Sequence, residues 1–239
     1  MSFAKKMKRK KETAIKKVVT KEATKGYLAE KRARELLEIN MTRINLFCEC
    51  RILPTMAYIM HDTFGWSCKQ LWDIERKYKW FNNTYFLEAL ADKREYLTLQ
   101  SIWESLGEEC SFQYAPYKRL EEKMGDSCEG WLETLSKNYS IDGLEYIETI
   151  WLWVLHEYFG FGGKRLLRFH EALTDIKPLE MPMDRLYKMF ETLESLKTRT
   201  GDMIKCDNIR NILKELDYKK NNFEDGLMLL TVKGKKKAA

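Results

Sequence analysis

The stretch Trp151–Leu173, WLWVLHEYFGFGGKRLLRFHEAL, decides the fold, because the chain carries a close copy of it ninety-five residues earlier. Met56–Tyr78 reads MAYIMHDTFGWSCKQLWDIERKY. In both, an apolar run is followed by His, an acid, a variable residue, Phe-Gly, an aromatic, two small residues, Lys, Arg or Gln, and Leu. His61 aligns with His156, Asp62 with Glu157, Phe64-Gly65 with Phe159-Gly160, and Lys69 with Lys164. Each copy has the pattern of a helix, a tight corner and a second helix. Corners of this kind want glycine for a positive φ and an aromatic side chain to plug the angle. An all-α protein with a duplicated helix–turn–helix core is therefore expected.

Helical periodicity extends outward from both copies. Before the first, 27–47 repeats apolar residues near 3.6 spacing (Leu28, Leu36, Ile39, Met41, Ile44), after Gly26 and a Lys-rich segment 1–25 that is disordered alone or a frayed helix. Pro54 fits the first turn of a new helix over 55–63, where its missing N–H costs nothing. Gly65 reads as the glycine closing that helix, and Ser67-x-x-Gln70 as a capping box opening the next. Asn82-Asn83 breaks the pattern before a helix over 85–106. Residues 107–130 read as loop with one short helix around 117–124. The second copy opens with a cap at Ser140 or Asp142 and a helix over 143–158 that is apolar almost all round, hence buried on most sides. Helices over 164–172, 183–200 and 207–216 follow, and Asp225-Gly226 between β-capable runs predicts a small C-terminal hairpin. The domain reading is a basic arm (1–35), a first helical repeat (36–125), a second helical repeat (126–205), and a C-terminal helix/hairpin with a basic tail (206–239).

Charge is segregated. Residues 1–35 hold thirteen Lys/Arg against four Glu, a net +9, and residues 233–239 add four Lys. With an overall charge of +6, residues 36–232 carry −7. A basic arm on an acidic body points to a polyanionic partner, bound by phosphate neutralisation and counterion release; a solubilising tail is the plainer alternative. Six cysteines without any C-x-x-C spacing read as free thiols in a reducing cytosol. No segment has the apolar core of a secretory signal or the 18-residue apolar run of a membrane span. A P-loop, G-x-G-x-x-G, H-E-x-x-H, G-x-S-x-G and paired catalytic carboxylates are all absent from the sequence.

The corner charges raise a question. Glu157 ends one helix and Lys164-Arg165 begin the next, each with the wrong sign for its helix dipole. Either Glu157 (and Asp62 in the first copy) reaches across the corner to the lysine, or Lys164 and Arg165 join the exposed backbone N–H groups in holding an anion. His61 and His156 stand at equivalent positions beside carboxylates. A pseudo-twofold could bring them together as a metal or acid–base site, but a histidine in a last helical turn also suits the dipole and caps carbonyls. His170, aligned with Glu75, is expected at the surface. The seven tryptophans sit mostly at helical core spacing.

Two resemblances follow from these residues. Gly160-Phe161-Gly162-Gly163-Lys164-Arg165 resembles the G-h-G turn of helix-hairpin-helix modules, which implies a grip on a nucleic-acid backbone through turn amides. The first copy departs from it at Ser67, and neither copy has the usual proline before the turn. The signature around Val154–Leu166, an apolar run then H-[DE]-x-F-G-[FW]-x-x-K-[RQ]-L, resembles one in uncharacterised phage and prophage proteins of Gram-positive hosts. It implies an accessory context (regulation, replication support or interference with host defence) and assigns no activity.

The functional expectation is a non-enzymatic protein of the host cytoplasm that binds nucleic acid or a nucleoprotein complex. The contacts would be Lys5, Lys6, Lys8, Arg9, Lys10, Lys11, Lys16 and Lys17, with Lys164 and Arg165, and without cofactor, metal or membrane. A rival is an anti-defence inhibitor docking on a host CRISPR- or nuclease-type enzyme; a third reading is a His-dependent metal enzyme using His61 and His156.

Overall fold

The computed structural model describes residues 3–91, 99–121, 127–198, 201 and 203–216, and the side chains of these apart from 3–23, 84–91 and 99–100. The described residues form seven helices: α1 (Phe3–Phe64), α2 (Cys68–Ala91), α3 (Leu99–Cys110), α4 (Cys128–Phe159), α5 (Gly163–Ile176), α6 (Met183–Ser195) and α7 (207–216). Within them a single isolated bridge, Lys197 to Met203, is the only β pairing. The protein is all-α. The expected hairpin around Asp225-Gly226 lies outside the described residues, and no described helix is long and apolar enough to cross a membrane.

Helices run through several points where the sequence favours a break. Gly26 and Pro54 both lie inside the 62-residue α1, Asn82-Asn83 lie inside α2, and Ser140 to Gly143 lie inside the 32-residue α4. An interior proline forfeits one helical hydrogen bond and costs roughly 3 kcal/mol. Around Pro54 that cost is met by burial: Ile52, Thr55, Met56, Ile59 and Met60 are each fully buried. The Thr55 hydroxyl donates to the Arg51 carbonyl at 2.7 Å within the same turn. Asn82, read as a breaker, instead accepts the Tyr146 hydroxyl at 2.7 Å. Asp142 is not a cap; it receives Arg119 at 2.7 Å. The helix expected around 117–124 is irregular chain over its described part, 117–121.

The chain divides into two compact units, Met1–Ile44 with Tyr117–Asp142, and Asn45–Pro116 with Gly143–Ala239. In the first, the buried set is Ala29 and Ala33 on α1 with Trp131, Leu132, Thr134 and Leu135 on α4. Asn138 pairs with the Leu120 peptide in both directions, accepting its N–H at 2.9 Å and donating to its carbonyl at 3.1 Å. Irregular chain is thus tied to a helix without a strand.

The second unit holds both copies of the repeated stretch. Its centre is the part of α4 read as apolar all round: Leu144, Ile147, Ile150, Trp151, Leu152, Val154 and Leu155 are all buried, as a helix covered on every side must be. A separate cluster joins Cys50 of α1, Leu186, Met189 and Phe190 of α6, and Leu213 of α7, with Cys206 and Met181. Arg51, buried at 4% exposure, reaches from α1 into the α5–α6 connection. Its Nε donates to the Pro178 carbonyl at 2.8 Å, its Nη2 to the Met181 carbonyl, and its Nη1 lies 3.2 Å from the Met183 sulfur. A guanidinium placed this way satisfies carbonyls that the turn leaves without helical partners.

Candidate functional site at the paired corners

The two corners share one backbone design. At the first, the Gly65 N–H donates to the His61 carbonyl at 2.9 Å and the Trp66 N–H to the Met60 carbonyl at 3.1 Å. At the second, the Gly160 N–H donates to the His156 carbonyl and the Phe161 N–H to the Leu155 carbonyl, both at 3.1 Å. The Gly65 and Gly160 bonds are those of an αL C-cap, with glycine at the position that must turn left-handed: φ is +70° at Gly65 and +63° at Gly160. Each corner adds a third bond. The Nδ1 of His61 lies 2.9 Å from the Trp66 carbonyl, and the Nδ1 of His156 lies 2.9 Å from the Phe161 carbonyl. A carbonyl only accepts, so Nδ1 carries the hydrogen in both rings.

The aromatic plugs meet reciprocally. Phe64 contacts Phe161 (centroids 5.2 Å apart) and Trp66 contacts Phe159 (4.9 Å). Trp66 and Phe161, which are equivalent residues, meet edge-on at 5.8 Å. Phe64 aligns with Phe159 and Trp66 with Phe161, so each cross-pair is the mirror of the other.

The ion pair across the corner is not the arrangement adopted. Among the described residues no ion pair joins Glu157 or Asp62 to a lysine. Arg165 turns back onto its own corner, donating to the Gly160 carbonyl and lying over the Phe161 ring at 4.5 Å. It completes the helix end rather than facing outward. Lys164 is exposed and makes no ion pair in the described structure. Lys5, Lys6, Lys8, Arg9, Lys10, Lys11, Lys16 and Lys17 lie along α1, in the first unit, whereas Lys164 and Arg165 belong to the second.

The histidines also separate. His61 and His156 each bind their own corner's carbonyl. The group of potential metal ligands found among the described residues is Glu109, His156 and Glu157, without His61. Glu109, at the end of α3, was invisible as a partner because 47 positions separate it from His156. Its Oε2 lies 3.0 Å from His156 Nε2, while its Oε1 accepts the Ser105 hydroxyl at 2.5 Å. Hydrogen bonds from Ser105 and then His156 hold the Glu109 carboxyl below its usual range. For His156, desolvation pulls the imidazole down, but the Phe161 carbonyl and Glu109 outweigh it and the net shift is upward.

Gly163 shows why α3 can end here. A Cβ on it would collide with the Cys110 carbonyl, whereas one on Gly162 would meet nothing within 4 Å. The close approach is possible only for glycine.

His170 corrects the surface expectation. It is buried at 6% exposure, its Nδ1 2.8 Å from an oxygen of the fully buried Glu148 on α4. The rings of Tyr114 and Phe112 lie against it at 5.1 and 6.3 Å. A carboxylate deep in the core needs such a partner, and the alignment with Glu75 carries no trace of it. Of the tryptophans, Trp66, Trp131 and Trp151 are buried, Trp72, Trp103 and Trp153 half-buried, and Trp80 is 54% exposed. An open groove of about 1140 Å³ runs beside the start of α2, lined by Lys69, Trp72, Asp73, Arg76, Lys79 and Lys197 among others. Arg76 and Lys79 are held there by Asp73 and Glu75 at 2.9 and 2.6 Å. No family model, curated protein or solved structure matches the chain.

Proposed function

We propose that the chain acts by binding: it is a phage-type accessory protein whose basic helix engages nucleic acid or a nucleoprotein complex. The observation that carries the proposal is the placement of a net +9 on residues 1–35 along the start of one continuous helix. So many cationic side chains on one helix bind a polyanion by neutralising phosphates and releasing counterions. Lys25, Lys31, Arg32 and Arg34 are all exposed, and among the described residues only Arg34 of these is held by a carboxylate, Glu30 at 2.9 Å. Six free thiols support a reducing compartment, the host cytoplasm.

An internal duplication belongs to the same proposal. It is supported by the matched C-cap bonds, the matched histidine bonds and the reciprocal ring contacts. In this reading the corner is a folding unit used twice, not a catalytic centre.

The test is a titration of duplex and single-stranded oligonucleotides at several salt concentrations. Affinity should fall steeply with salt, by a slope of about 0.9 in log K per neutralised phosphate on duplex DNA. Replacing Lys5, Lys6, Lys8, Arg9, Lys10, Lys11, Lys16 and Lys17 by Gln should flatten that slope and remove most binding. Salt-insensitive binding, or none, defeats the proposal. The net −7 of residues 36–232 favours the second reading, an inhibitor that presents an acidic face to a host defence enzyme. Its signature is a stoichiometric protein complex that survives nuclease digestion.

A further inference from the structure

We propose that Glu109, His156 and Glu157 form a binding site for one divalent cation of the zinc class, clamping the end of α3 to the α4–α5 corner. The inference does not rest on nucleic-acid binding.

The His156 ring is oriented as metal-binding imidazoles are. Its Nδ1–H is committed to the Phe161 carbonyl at 2.9 Å, so Nε2 is the nitrogen that faces outward. Histidine ligands generally donate their second nitrogen to a carbonyl or carboxylate, which fixes the tautomer and ring angle. What Nε2 faces is a carboxylate oxygen, Glu109 Oε2, at 3.0 Å. A positive charge must stand between those two atoms: the proton of an Nε2–H donating to Glu109, or a cation that displaces that proton on binding.

Glu109 is oriented too. Ser105 occupies its Oε1 at 2.5 Å and leaves Oε2 toward the histidine. The backbone that carries it is fixed one residue further on, where the Cys110 carbonyl abuts Gly163. Glu157, the residue after the histidine on α4, supplies the third donor, and the three ligand atoms lie within 4.8 Å of one another. Zinc binds imidazole nitrogen and carboxylate oxygen at about 2.0–2.2 Å. Both carboxylates are exposed, so small side-chain rotations bring them to that distance. One imidazole with two carboxylates suits zinc or manganese, while the nitrogen disfavours calcium and magnesium. Three protein ligands leave coordination positions for water.

The first corner is an internal control. His61 has the same carbonyl bond to Trp66 at 2.9 Å and is followed by Asp62, but it belongs to no group of three ligands among the described residues. Zn²⁺ titrated into the full chain by calorimetry should bind with 1:1 stoichiometry. His156→Ala, Glu109→Gln and Glu157→Gln should each weaken it by roughly tenfold or more, the scale on which even supporting residues tune metal sites. His61→Ala should leave it within about twofold, far below that scale. Glu157 is exposed at a helix end, so Glu157→Gln tests the site even if His156→Ala unfolds. Co²⁺ in place of zinc should give visible d–d bands without the near-ultraviolet charge transfer of thiolate ligands, which separates this site from the six free cysteines. Three results would overturn the proposal: no saturable binding, a thiolate spectrum, or unchanged affinity in both Glu109→Gln and Glu157→Gln. The last would leave His156 and Glu109 as an ion pair only.

Discussion

Gly163 and Gly162 are neighbours of the same type with opposite consequences. Alanine at 163 drives its methyl into the Cys110 carbonyl, a backbone atom that cannot swing aside. Overpacking of this kind costs about 1–3 kcal/mol, so Gly163→Ala should lower the urea midpoint clearly. Gly162→Ala, at φ −83° with open space around it, should leave the midpoint nearly unchanged. His170 has comparable leverage. Its loss strips the imidazole from a carboxyl group with 0% side-chain exposure, and removing one partner of a buried hydrogen bond costs about 1–3 kcal/mol. His170→Ala should therefore destabilise more than His61→Ala, measured in the same urea series. The sequence made the corner glycines legible, because a positive φ between two helical patterns leaves few alternatives. It could not make the Glu148–His170 or Glu109–His156 pairs legible. Their partners stand 22 and 47 positions apart, and nothing local marks a polar residue as having a distant mate.

Helices α1, α6 and α7 meet around two thiols whose titration reports that packing. Burial, and to a lesser degree Glu49, pushes Cys50 up to about 11; burial, then Glu194, pushes Cys206 up to about 12. A group whose folded pKa is raised lends stability that is complete below its unfolded pKa, about 9 in both cases, and is lost as pH climbs toward the folded value. Stability should therefore hold through neutral pH and decline from about pH 9 toward 12, read as a falling urea midpoint. Cys50→Ala with Cys206→Ala should remove much of that alkaline slope, even though both lose packing. Iodoacetamide at pH 8 should leave both thiols unlabelled until the fold is opened with denaturant. At this scale the sequence located the helices better than their ends. Apolar spacing identified α5, α6 and α7 within a few residues. Gly26, Pro54 and Asn82-Asn83 each disfavour helix locally, yet the helices run through all three; burial of the neighbouring turns accounts for this at Pro54 and the Tyr146–Asn82 bond at Asn82. Ser67 is an instructive intermediate case. Gln70 accepts both the Ser67 N–H, at 3.0 Å, and its hydroxyl, at 2.9 Å, so half of the expected capping box forms and the serine hydroxyl donates instead of accepting.

For the whole molecule, charge separation predicts that a chain lacking residues 1–25 keeps the fold of the unit built on α4 while losing its salt-dependent affinity for polyanions. Circular dichroism and thermal melting should change little beyond the deleted helix; the oligonucleotide titration should collapse. The paired corners carry a consequence of a different kind. Phe64–Phe161 and Trp66–Phe159 exchange equivalent partners, so the contact surface between the corners is complementary to itself, as in a symmetric dimer. A substitution at one ring changes the surroundings of its counterpart as well. Double-mutant cycles over the two cross-pairs should return coupling energies of the same sign and similar size, within about 0.5 kcal/mol. Neither corner can then drift in sequence alone: a change tolerated by one must be answered in the other.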